Sequence, residues 1–284
     1  MAFRLANIAG RATLIVETPT AEWMPNQGID VERASGGAIP SDLIGAIERF
    51  DQLHALTGRD CDVFFDQTDV GCPVPSPVQV FAIGLNYRSH AEESGMAIPE
   101  IPMVFTKFGS SICGPTSTVN LPSASVDWEA ELVVVIGRGG RTIAESDALN
   151  HVAGFTGGQD LSERVLQFAS NPAQFSLAKS FAEFGPIGPV VTSVDAFEDP
   201  NNIGMWCELD GERVQTGRTD DLVFGVSELI AYLSTVCDLY PGDLIFTGTP
   251  SGVGFTRQPP RFLSPGQLLV TSFDGIGALR NPIR

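Results

Sequence analysis

Two glutamates stand two positions apart, directly before a run of apolar residues. They are Glu129 and Glu131 in the segment WEAELVVVIG (128–137). On a β-strand, side chains at positions i and i+2 point to the same face, so the two carboxylates would project side by side next to an apolar segment. A divalent cation would reduce both their mutual repulsion and the cost of desolvating them. The other interpretation is a strand whose acidic face is solvated, and the spacing leaves both open.

A third carboxylate, Asp160, stands in the segment GGQDLSERVLQ (157–167). By itself, an Asp before a helix is most simply an N-cap residue. The chain has three histidines at scattered positions, which argues against a His-rich zinc site. Any bound metal would therefore be held by carboxylates, and oxygen ligands favour a hard cation such as Mg²⁺, Mn²⁺ or Ca²⁺.

A histidine and a glutamate, His90 and Glu93, stand three positions apart in LNYRSHAEESG (85–95). If this segment is helical, the two side chains share a face. A carboxylate that bonds one imidazole nitrogen orients the ring, and the other nitrogen can then take a proton from water. The alternative is a solvated polar helix.

Two further segments contain residue types that bind anions. Lys179 lies in the apolar, glycine-bounded segment LAKSFAEFGPIGP (177–189), where it would either clamp an anion or extend its ammonium group to the surface. Thr249 lies in TGTPSGVG (247–254), directly after a predicted strand. Hydroxyls and closely approaching amides suit a carboxylate ligand there, and a tight turn is the alternative.

The overall charge excludes several classes of partner. The chain has 284 residues, 34 Asp and Glu against 17 Lys and Arg, and a formal net charge of -17. Because an acidic surface repels phosphate groups, we predict neither a nucleic-acid partner nor a membrane surface, and no apolar run approaches the ~20 residues of a membrane helix. Arg4 and Arg11 interrupt any signal-peptide core, and the five scattered cysteines include no CxxC motif. These features predict a cytoplasmic protein with reduced thiols.

The elements that must position these residues fall into two units. Residues 1–72 indicate a small α/β N-terminal domain, with a strand at 11–17 and a helix that begins at Ser41 and ends near Leu56. The segment GCPVPSPVQ (71–79) contains three prolines and is the predicted boundary.

Residues 73–284 form the second unit, in which strands dominate. Its helices are predicted at 162–169 and 227–236. Short apolar runs, separated by Pro and Gly, predict strands at 80–84, 132–137, 189–194, 244–248 and 268–273. The runs do not alternate with long helices as in a doubly wound sheet. We therefore predict a strand-dominated α+β fold, largely antiparallel, that forms a sandwich or rolled barrel with a few covering helices.

Taken together, these segments resemble the fumarylacetoacetate hydrolase superfamily, and in particular its bacterial members with a small N-terminal domain. The resemblance extends from about Val78 to Arg284, and its segments occur in the family's order. They are GLNYRSHAEE (84–93), VDWEAELVVVIG (126–137), QDLSERVLQ (159–167), AKSFAEFGPIGP (178–189), LDGERVQTG (209–217), PGDLIFTGTPSGVG (241–254) and GIGALRNPI (275–283). It implies a catalytic domain with a mixed β-roll, and a homodimer.

The resemblance also implies roles for individual residues. Glu129, Glu131 and Asp160 match the family's metal ligands, which implies bound Mg²⁺ or Mn²⁺. His90 and Glu93, on a lid segment, match the dyad that activates water. The implied contacts with a small anionic 2-oxo acid are Tyr87, Gln167, Lys179 and Thr249, of which Lys179 also stabilises developing charge.

The reaction that this resemblance favours is hydrolysis of a C–C bond in a 2,4-dioxo acid, in a catabolic pathway. His90 would take a proton from water, which attacks the distal carbonyl and leaves an enolate. The alternatives on the same site are decarboxylation of an oxaloacetate-like acid and enol–keto tautomerisation, neither of which needs that nucleophile. A non-catalytic binding protein is a rival of another class, but none of the implied ligands or dyad residues is missing.

The chain departs from the family pattern at three places. Leu85 stands where acylpyruvate-hydrolysing members often have Arg, and this GLNY form resembles bacterial decarboxylases, sugar-acid diketo hydrolases and isomerases. Ala182 and Glu183 stand where members often have an Asp-Thr pair. Val165 stands where many members have the Asp of an S-A-R-D motif. These changes would alter the shape of the substrate site without removing a metal ligand.

Overall fold

Strands supply most of the regular structure. The computed structural model describes residues 1–22 and 24–284, and in that part of the chain the strands are β1 (Arg4–Ile8), β2 (Arg11–Ile15), β3 (Gln27–Asp30), β4 (Val63–Phe64), β5 (Val70–Gly71), β6 (Val80–Gly84), β7 (Met103–Thr106), β8 (Ile112–Cys113), β9 (Val126–Asp127), β10 (Ala130–Ile136), β11 (Val152–Gln159), β12 (Ser162–Glu163), β13 (Gly185–Thr192), β14 (Gly204–Leu209), β15 (Glu212–Arg218), β16 (Leu244–Phe246), β17 (Leu268–Phe273) and β18 (Gly277–Pro282).

The helices are short and lie between the strands. They are α1 (Val31–Ala34), α2 (Leu43–Glu48), α3 (Phe50–Leu53), α4 (Arg88–Ser94), α5 (Arg164–Gln167), α6 (Phe175–Ala178) and α7 (Val226–Val236), together with 3₁₀ turns at Gln67–Asp69, Gly109–Ser111, Glu145–His151, Val194–Ala196 and Thr219–Asp221.

One large mixed sheet organises the described residues. Its twelve strands include the path β4-β3-β2-β1-β13-β11-β10-β16-β6-β7, with β5 paired to β1 and β8 paired to β13. The β16–β6 and β13–β8 pairs are parallel and the others are antiparallel. A four-stranded sheet, β15-β14-β17-β18, packs against it through β14, β17 and β18. The predicted strand-dominated α+β class is confirmed.

Strand β10 runs through the centre of the large sheet and is buried on both faces. Leu132 and Val134 belong to one apolar cluster, whereas Val133 and Val135 belong to the other. Burial on both faces explains why the sequence is an almost continuous apolar run rather than an alternating one. With a period of two, Glu131 shares the face of Val133.

Several local predictions differ from the structure, among them the strands predicted at 189–194 and 244–248, which are β13 and β16. The helix predicted from Ser41 to Leu56 is two short helices, α2 and α3, and the N-cap of α2 is Asp42, whose carboxylate accepts a hydrogen bond from the Gly45 N–H (2.7 Å). The helix predicted at 162–169 is the strand β12 followed by α5. The strand predicted at 11–17 ends at Ile15. At 162–163 the predicted type of element was wrong, whereas elsewhere the type was right and the ends of the elements are set by capping and pairing.

The segment before the proline-rich stretch joins the large sheet. Its strand β1 pairs with β13, with Leu5 opposite Val191, so the sheet continues from the leading residues into the rest of the chain. The domain boundary at residue 72 stays a prediction.

The five cysteines are free, and Cys207 is buried. Burial raises the pKa of the Cys72 and Cys207 thiols to about 12, so neither forms much thiolate at neutral pH. Among the described residues, we find no helix whose length and hydropathy would let it cross a membrane.

The double burial of β10 predicts where the fold is most sensitive. We expect Leu132→Ala, at a side chain with 0% exposure, to lower the free energy of unfolding by about 2–5 kcal/mol, because it leaves a cavity between the sheets. The matched control is Leu177→Ala, at a side chain with 59% exposure, which we expect to change it by less than about 0.5 kcal/mol. Urea titration followed by circular dichroism measures both, and equal effects would contradict this description of the core.

Candidate active site

Three carboxylates meet where β10 begins and β11 ends. Glu129 directly precedes β10, Glu131 lies on it, and Asp160 directly follows β11. The antiparallel pairing of the two strands aligns these ends, and the Asp160 N–H donates to the Glu129 carbonyl (2.9 Å). One oxygen from each carboxylate lies within 4.8 Å of the others, and all three residues are buried. Asp160 therefore lies beside Glu129 and Glu131, the two residues whose spacing predicted a shared face.

Gly248 holds the carboxylate of Glu131 from the neighbouring loop. Its N–H donates to Oε2 of Glu131 (2.8 Å). The residue has φ +98°, and a Cβ there would lie 2.9 Å from the Asn86 Cβ and 3.1 Å from the Ile83 carbonyl oxygen. Both the backbone conformation and the close approach therefore require glycine.

Two lysines bind the carboxylates from the side of β7 and α6. Nζ of Lys179 lies 2.7 Å from both Glu129 Oε2 and Asp160 Oδ2. Nζ of Lys107 lies 2.8 Å from Asp160 Oδ1 and also donates to the carbonyl groups of Lys179 and Phe184. Lys179 was predicted as an anion clamp, and the anions that it contacts in this structure belong to the protein. Lys107 was not predicted as a site residue. The one feature of the sequence that could have indicated it is a single lysine in the largely apolar segment VFTKF (104–108).

Arg164 binds the same cluster from α5. Its Nη1 lies 2.8 Å from Glu129 Oε1 and donates to Gln167 Oε1 (2.9 Å). Its Nε and Nη2 both donate to Oδ2 of Asp127 (2.9 and 2.6 Å). Asp127 also accepts the N–H groups of Gly254 (2.7 Å) and Phe255 (2.9 Å), so one buried carboxylate fixes both the arginine and the loop after β16. Sequence reasoning did not select Asp127 or Arg164.

We call these seven side chains the buried charge cluster. Its members are the carboxylates Asp127, Glu129, Glu131 and Asp160 and the cations Lys107, Arg164 and Lys179. Four carboxylates against three cations leave one negative charge.

Within this cluster, Glu131 is the carboxylate whose negative charge is compensated least. Burial, together with the charges of Asp160 and Glu129, raises the pKa of Glu131 well above its usual value. Burial also opposes ionisation of Glu129, but Lys179 and Arg164 outweigh it and hold the pKa of that carboxyl well below its usual value. Three converging carboxylate oxygens with a net negative charge are a donor set that a hard divalent cation fits.

The predicted dyad lies on α4, at the edge of the same site. Nδ1 of His90 is 3.4 Å from Oε2 of Glu93, and Oε1 of Glu93 accepts the Gly252 N–H (2.9 Å). Partial burial acts to raise the pKa of Glu93, but the contacts with His90 and Gly252 lower it below the usual value. The helical spacing of the pair is as predicted, and its role in chemistry stays a prediction.

A cavity of about 160 Å³ connects His90 to the charge cluster, whereas Glu93 and Asp160 do not line it. Of the predicted site residues, it brings together His90, Glu129, Glu131, Gln167, Lys179 and Thr249, and Arg164 and Leu85 also line it. The structure does not bring Tyr87 to this cavity, because its side chain is fully buried with the hydroxyl 3.9 Å from the Met205 sulfur.

The loop TGTPSGVG supplies amides to carboxylates, as its composition predicted, but to carboxylates of the protein. Its glycines at 248, 252 and 254 donate to Glu131, Glu93 and Asp127 respectively. The Thr249 hydroxyl donates to the Ala130 carbonyl (2.9 Å) and accepts from Gln215 (2.9 Å) while it lines the cavity. The loop therefore shapes the site chiefly by holding its acidic residues.

Comparison with known proteins identifies this arrangement. The family model described as fumarylacetoacetate (FAA) hydrolase, C-terminal, matches residues 79–284. The chain belongs to the fumarylacetoacetate hydrolase family. That range includes the dyad and all seven members of the buried charge cluster.

Individual members of the family are similar over most of the chain. The human protein named oxaloacetate tautomerase FAHD2A, mitochondrial, is 44% identical over 213 residues, which are 74% of this chain and 68% of that protein. The structure of a candidate HpcE protein from Mycobacterium smegmatis is 48% identical, with a TM-score of 0.89, and the match covers 99% of this chain and 98% of that one.

A third relative was solved with a metal. The maleylpyruvate hydrolase from Sphingobium sp. SYK-6, in complex with manganese(II) and pyruvate, has a TM-score of 0.77 and 28% identity, and the match covers 99% of this chain and 98% of that one. The chain is thus an enzyme of a family that includes hydrolases and a tautomerase, and its acidic triad supports metal-dependent activity.

The charge deficit at Glu131 predicts a stabilising effect of metal. We expect saturating Mn²⁺ to raise the melting temperature of the wild-type protein, since binding at 100 times Kd contributes about 2.7 kcal/mol. Glu131→Gln should lose most of this rise, because one ligand has lost its charge. The matched control is Glu145→Gln, at an exposed position, which should keep it. A full Mn²⁺-dependent rise in Glu131→Gln, measured by thermal denaturation with and without EDTA, would contradict the assignment.

Proposed function

We propose that this enzyme interconverts the keto and enol forms of a 2-oxo acid in a metal-dependent reaction. The observation that carries the proposal is that one cavity is lined by His90 and by two carboxylates of the acidic triad, Glu129 and Glu131. The 44% identity with a protein named oxaloacetate tautomerase supports the choice of reaction. Tautomerisation was one of the alternatives that the sequence left open.

The metal would be held by Glu129, Glu131 and Asp160. When bound, a divalent cation supplies Lewis-acid polarisation of the 2-oxo group and a template for the neighbouring carboxylate. Mg²⁺ and Mn²⁺ are the candidates that we propose, and the related hydrolase solved with manganese(II) supports them.

The side chains of the cavity would bind the acid and hold it in place. Lys179 and Arg164 place positive charge beside the triad, where the carboxylate and the developing enolate oxygen would lie. Gln167 and Thr249 line the same space and offer polar groups that orient the ligand. This gives a physical role to each substrate contact that the sequence predicted except Tyr87.

His90 is the group that we propose moves the proton. Because Nδ1 faces Glu93, Nε2 is the nitrogen left to exchange a proton with the ligand. For tautomerisation, Nε2 would take a proton from C3 of the keto form, and the imidazolium would then return that proton to the enolate oxygen. Glu93, held by the Gly252 amide, stabilises the imidazolium while the proton is on the ring.

A second candidate is hydrolysis of a C–C bond in a 2,4-dioxo acid, which was the leading hypothesis from the sequence. The same His90 atom would then take a proton from water rather than from carbon. The structural similarity to a maleylpyruvate hydrolase supports this candidate. Decarboxylation of oxaloacetate needs no proton acceptor at this position and is the third reaction to assay.

Product analysis with purified, Mn²⁺-loaded protein separates the three reactions. We expect faster loss of the enol absorbance of oxaloacetate without release of CO₂. Pyruvate and a second acid formed from acylpyruvates, with no effect on enol decay, would favour the hydrolase instead. The homodimer and the cytoplasmic location stay predictions.

The role of His90 predicts a separation of binding from turnover. We expect His90→Ala to bind Mn²⁺ and pyruvate like the wild type but to lower kcat by about 10²–10⁴-fold, the usual contribution of a general acid or base. The matched control is Glu92→Ala, at an exposed position on the same helix, which should leave kcat unchanged. Unchanged turnover in His90→Ala would remove the dyad from the mechanism.

A further inference from the structure

We propose that the apolar wall of the active-site cavity is a subsite for an uncharged, apolar substituent on the 2-oxo acid. This inference rests on the proposed function, because it takes the acid's carboxylate to lie at the charge cluster. It adds the chemical class of the rest of the substrate, which neither the triad nor the dyad specifies.

The cavity wall that does not belong to the charge cluster is largely apolar and includes four phenylalanines. Phe105 and Phe175 make an edge-to-face contact (centroids 5.5 Å apart), and Phe168 and Phe255 are stacked (5.1 Å). All four line the cavity. Two methionines, Met96 and Met103, line it as well, and methionine adapts its shape to different apolar groups. Such a wall favours alkyl or aryl groups over charged ones.

The arginine and the lysine that line the cavity already form ion pairs with carboxylates of the protein. Arg164 is paired with Asp127 and Glu129, and Lys179 with Glu129 and Asp160. Among the described residues that line the cavity, the other basic side chain is His90, which contacts Glu93. A second carboxylate on the substrate would therefore be desolvated against phenylalanine without a cation of its own.

The charge of the cluster leads to the same conclusion. With all seven groups ionised, its four carboxylates and three cations sum to one negative charge, and a divalent cation would change that sum to one positive charge. One carboxylate on the ligand brings the sum to zero, whereas a second one restores a buried negative charge. The formal charges of the metal-loaded cluster are thus neutralised by a ligand with one carboxylate.

The aromatic wall also leaves apolar surface exposed at the cavity. Phe168 is 49% exposed, Phe255 44% and Met96 54%. Large apolar side chains that are exposed together around a cavity mark a surface that a ligand covers. A substituent that extends from the 2-oxo group would cover them and gain the free energy of that burial.

Two isosteric ligands isolate the effect of the substituent. Oxaloacetate and 4-methyl-2-oxopentanoate share the 2-oxo acid group and the neighbouring methylene, but the second has an isopropyl group in place of the distal carboxylate. We expect the Mn²⁺-loaded enzyme to bind 4-methyl-2-oxopentanoate at least about tenfold more tightly than oxaloacetate, as measured by isothermal titration calorimetry. Equal binding, or tighter binding of oxaloacetate, would overturn the inference.

Two substitutions, one on α5 and one at the residue that directly follows it, test where the apolar subsite lies. We expect Phe168→Arg to reduce the preference for the apolar ligand by about tenfold or more, because it places a cation on the aromatic wall. The matched control is Val165→Arg, which adds the same charge at a position that is 69% exposed and outside the cavity. Phe168→Leu, which keeps the wall apolar, should retain the preference. An equal loss in Val165→Arg would show that the effect is general electrostatics, and an unchanged preference in Phe168→Arg would exclude Phe168 from the subsite.

Pyruvate distinguishes failure of this inference from failure of the proposed function. It has the 2-oxo acid group but only a methyl substituent. If pyruvate does not bind to the Mn²⁺-loaded enzyme, the proposed function fails, and the inference with it. If pyruvate binds but 4-methyl-2-oxopentanoate binds no more tightly than oxaloacetate, the inference alone fails.

Discussion

Buried carboxylates are costly unless cations lie beside them, and this condition governs the centre of the molecule. Four carboxylates and three cations are packed between the sheets with almost no exposure to water. Each of the three cations contacts at least one carboxylate at 2.6–2.8 Å. Glu131 is the member for which the pairing is incomplete, and a divalent cation is the component that would complete it. The acidic net charge of the whole chain therefore cannot attract an acidic ligand, and recognition depends on a local reversal of sign.

The fold provides this arrangement through strand pairing rather than through local sequence. Antiparallel pairing of β10 with β11 places Glu131 opposite Gly158 and brings Asp160 beside Glu129. The loop after β16 crosses the ends of these strands and donates amides to three carboxylates. A change in register by one residue would turn Glu131 to the other face of the sheet and separate the triad.

The sequence predicted those parts of the site that depend on neighbours along the chain. The shared face of Glu129 and Glu131 follows from the period of a strand, and the contact of His90 with Glu93 follows from the period of a helix. Asp160 by itself resembled an N-cap, and its place in the triad came from the family resemblance. Lys107 and Arg164 were missed because their partners lie 53 and 37 positions away, a distance at which no periodicity is informative.

The same limit applies to the fold. Apolar runs predicted the central strands well, since burial on both faces leaves a strong pattern. The pairing of β1 with β13 could not be predicted, because their separation of about 190 residues leaves no sequence signal. The position of Tyr87 was misjudged for a related reason. The family resemblance implied contact with substrate, but the ring packs in the core beside Met205.

The central claim is that Glu129, Glu131 and Asp160 together hold the catalytic metal. Anomalous diffraction from crystals soaked with Mn²⁺ and pyruvate tests it most directly, because manganese is located without reference to activity. We expect one strong anomalous peak in contact with a carboxylate oxygen of each of the three residues, with pyruvate beside it. A peak at another position, or no peak while Lys179 still bridges Glu129 and Asp160, would contradict it.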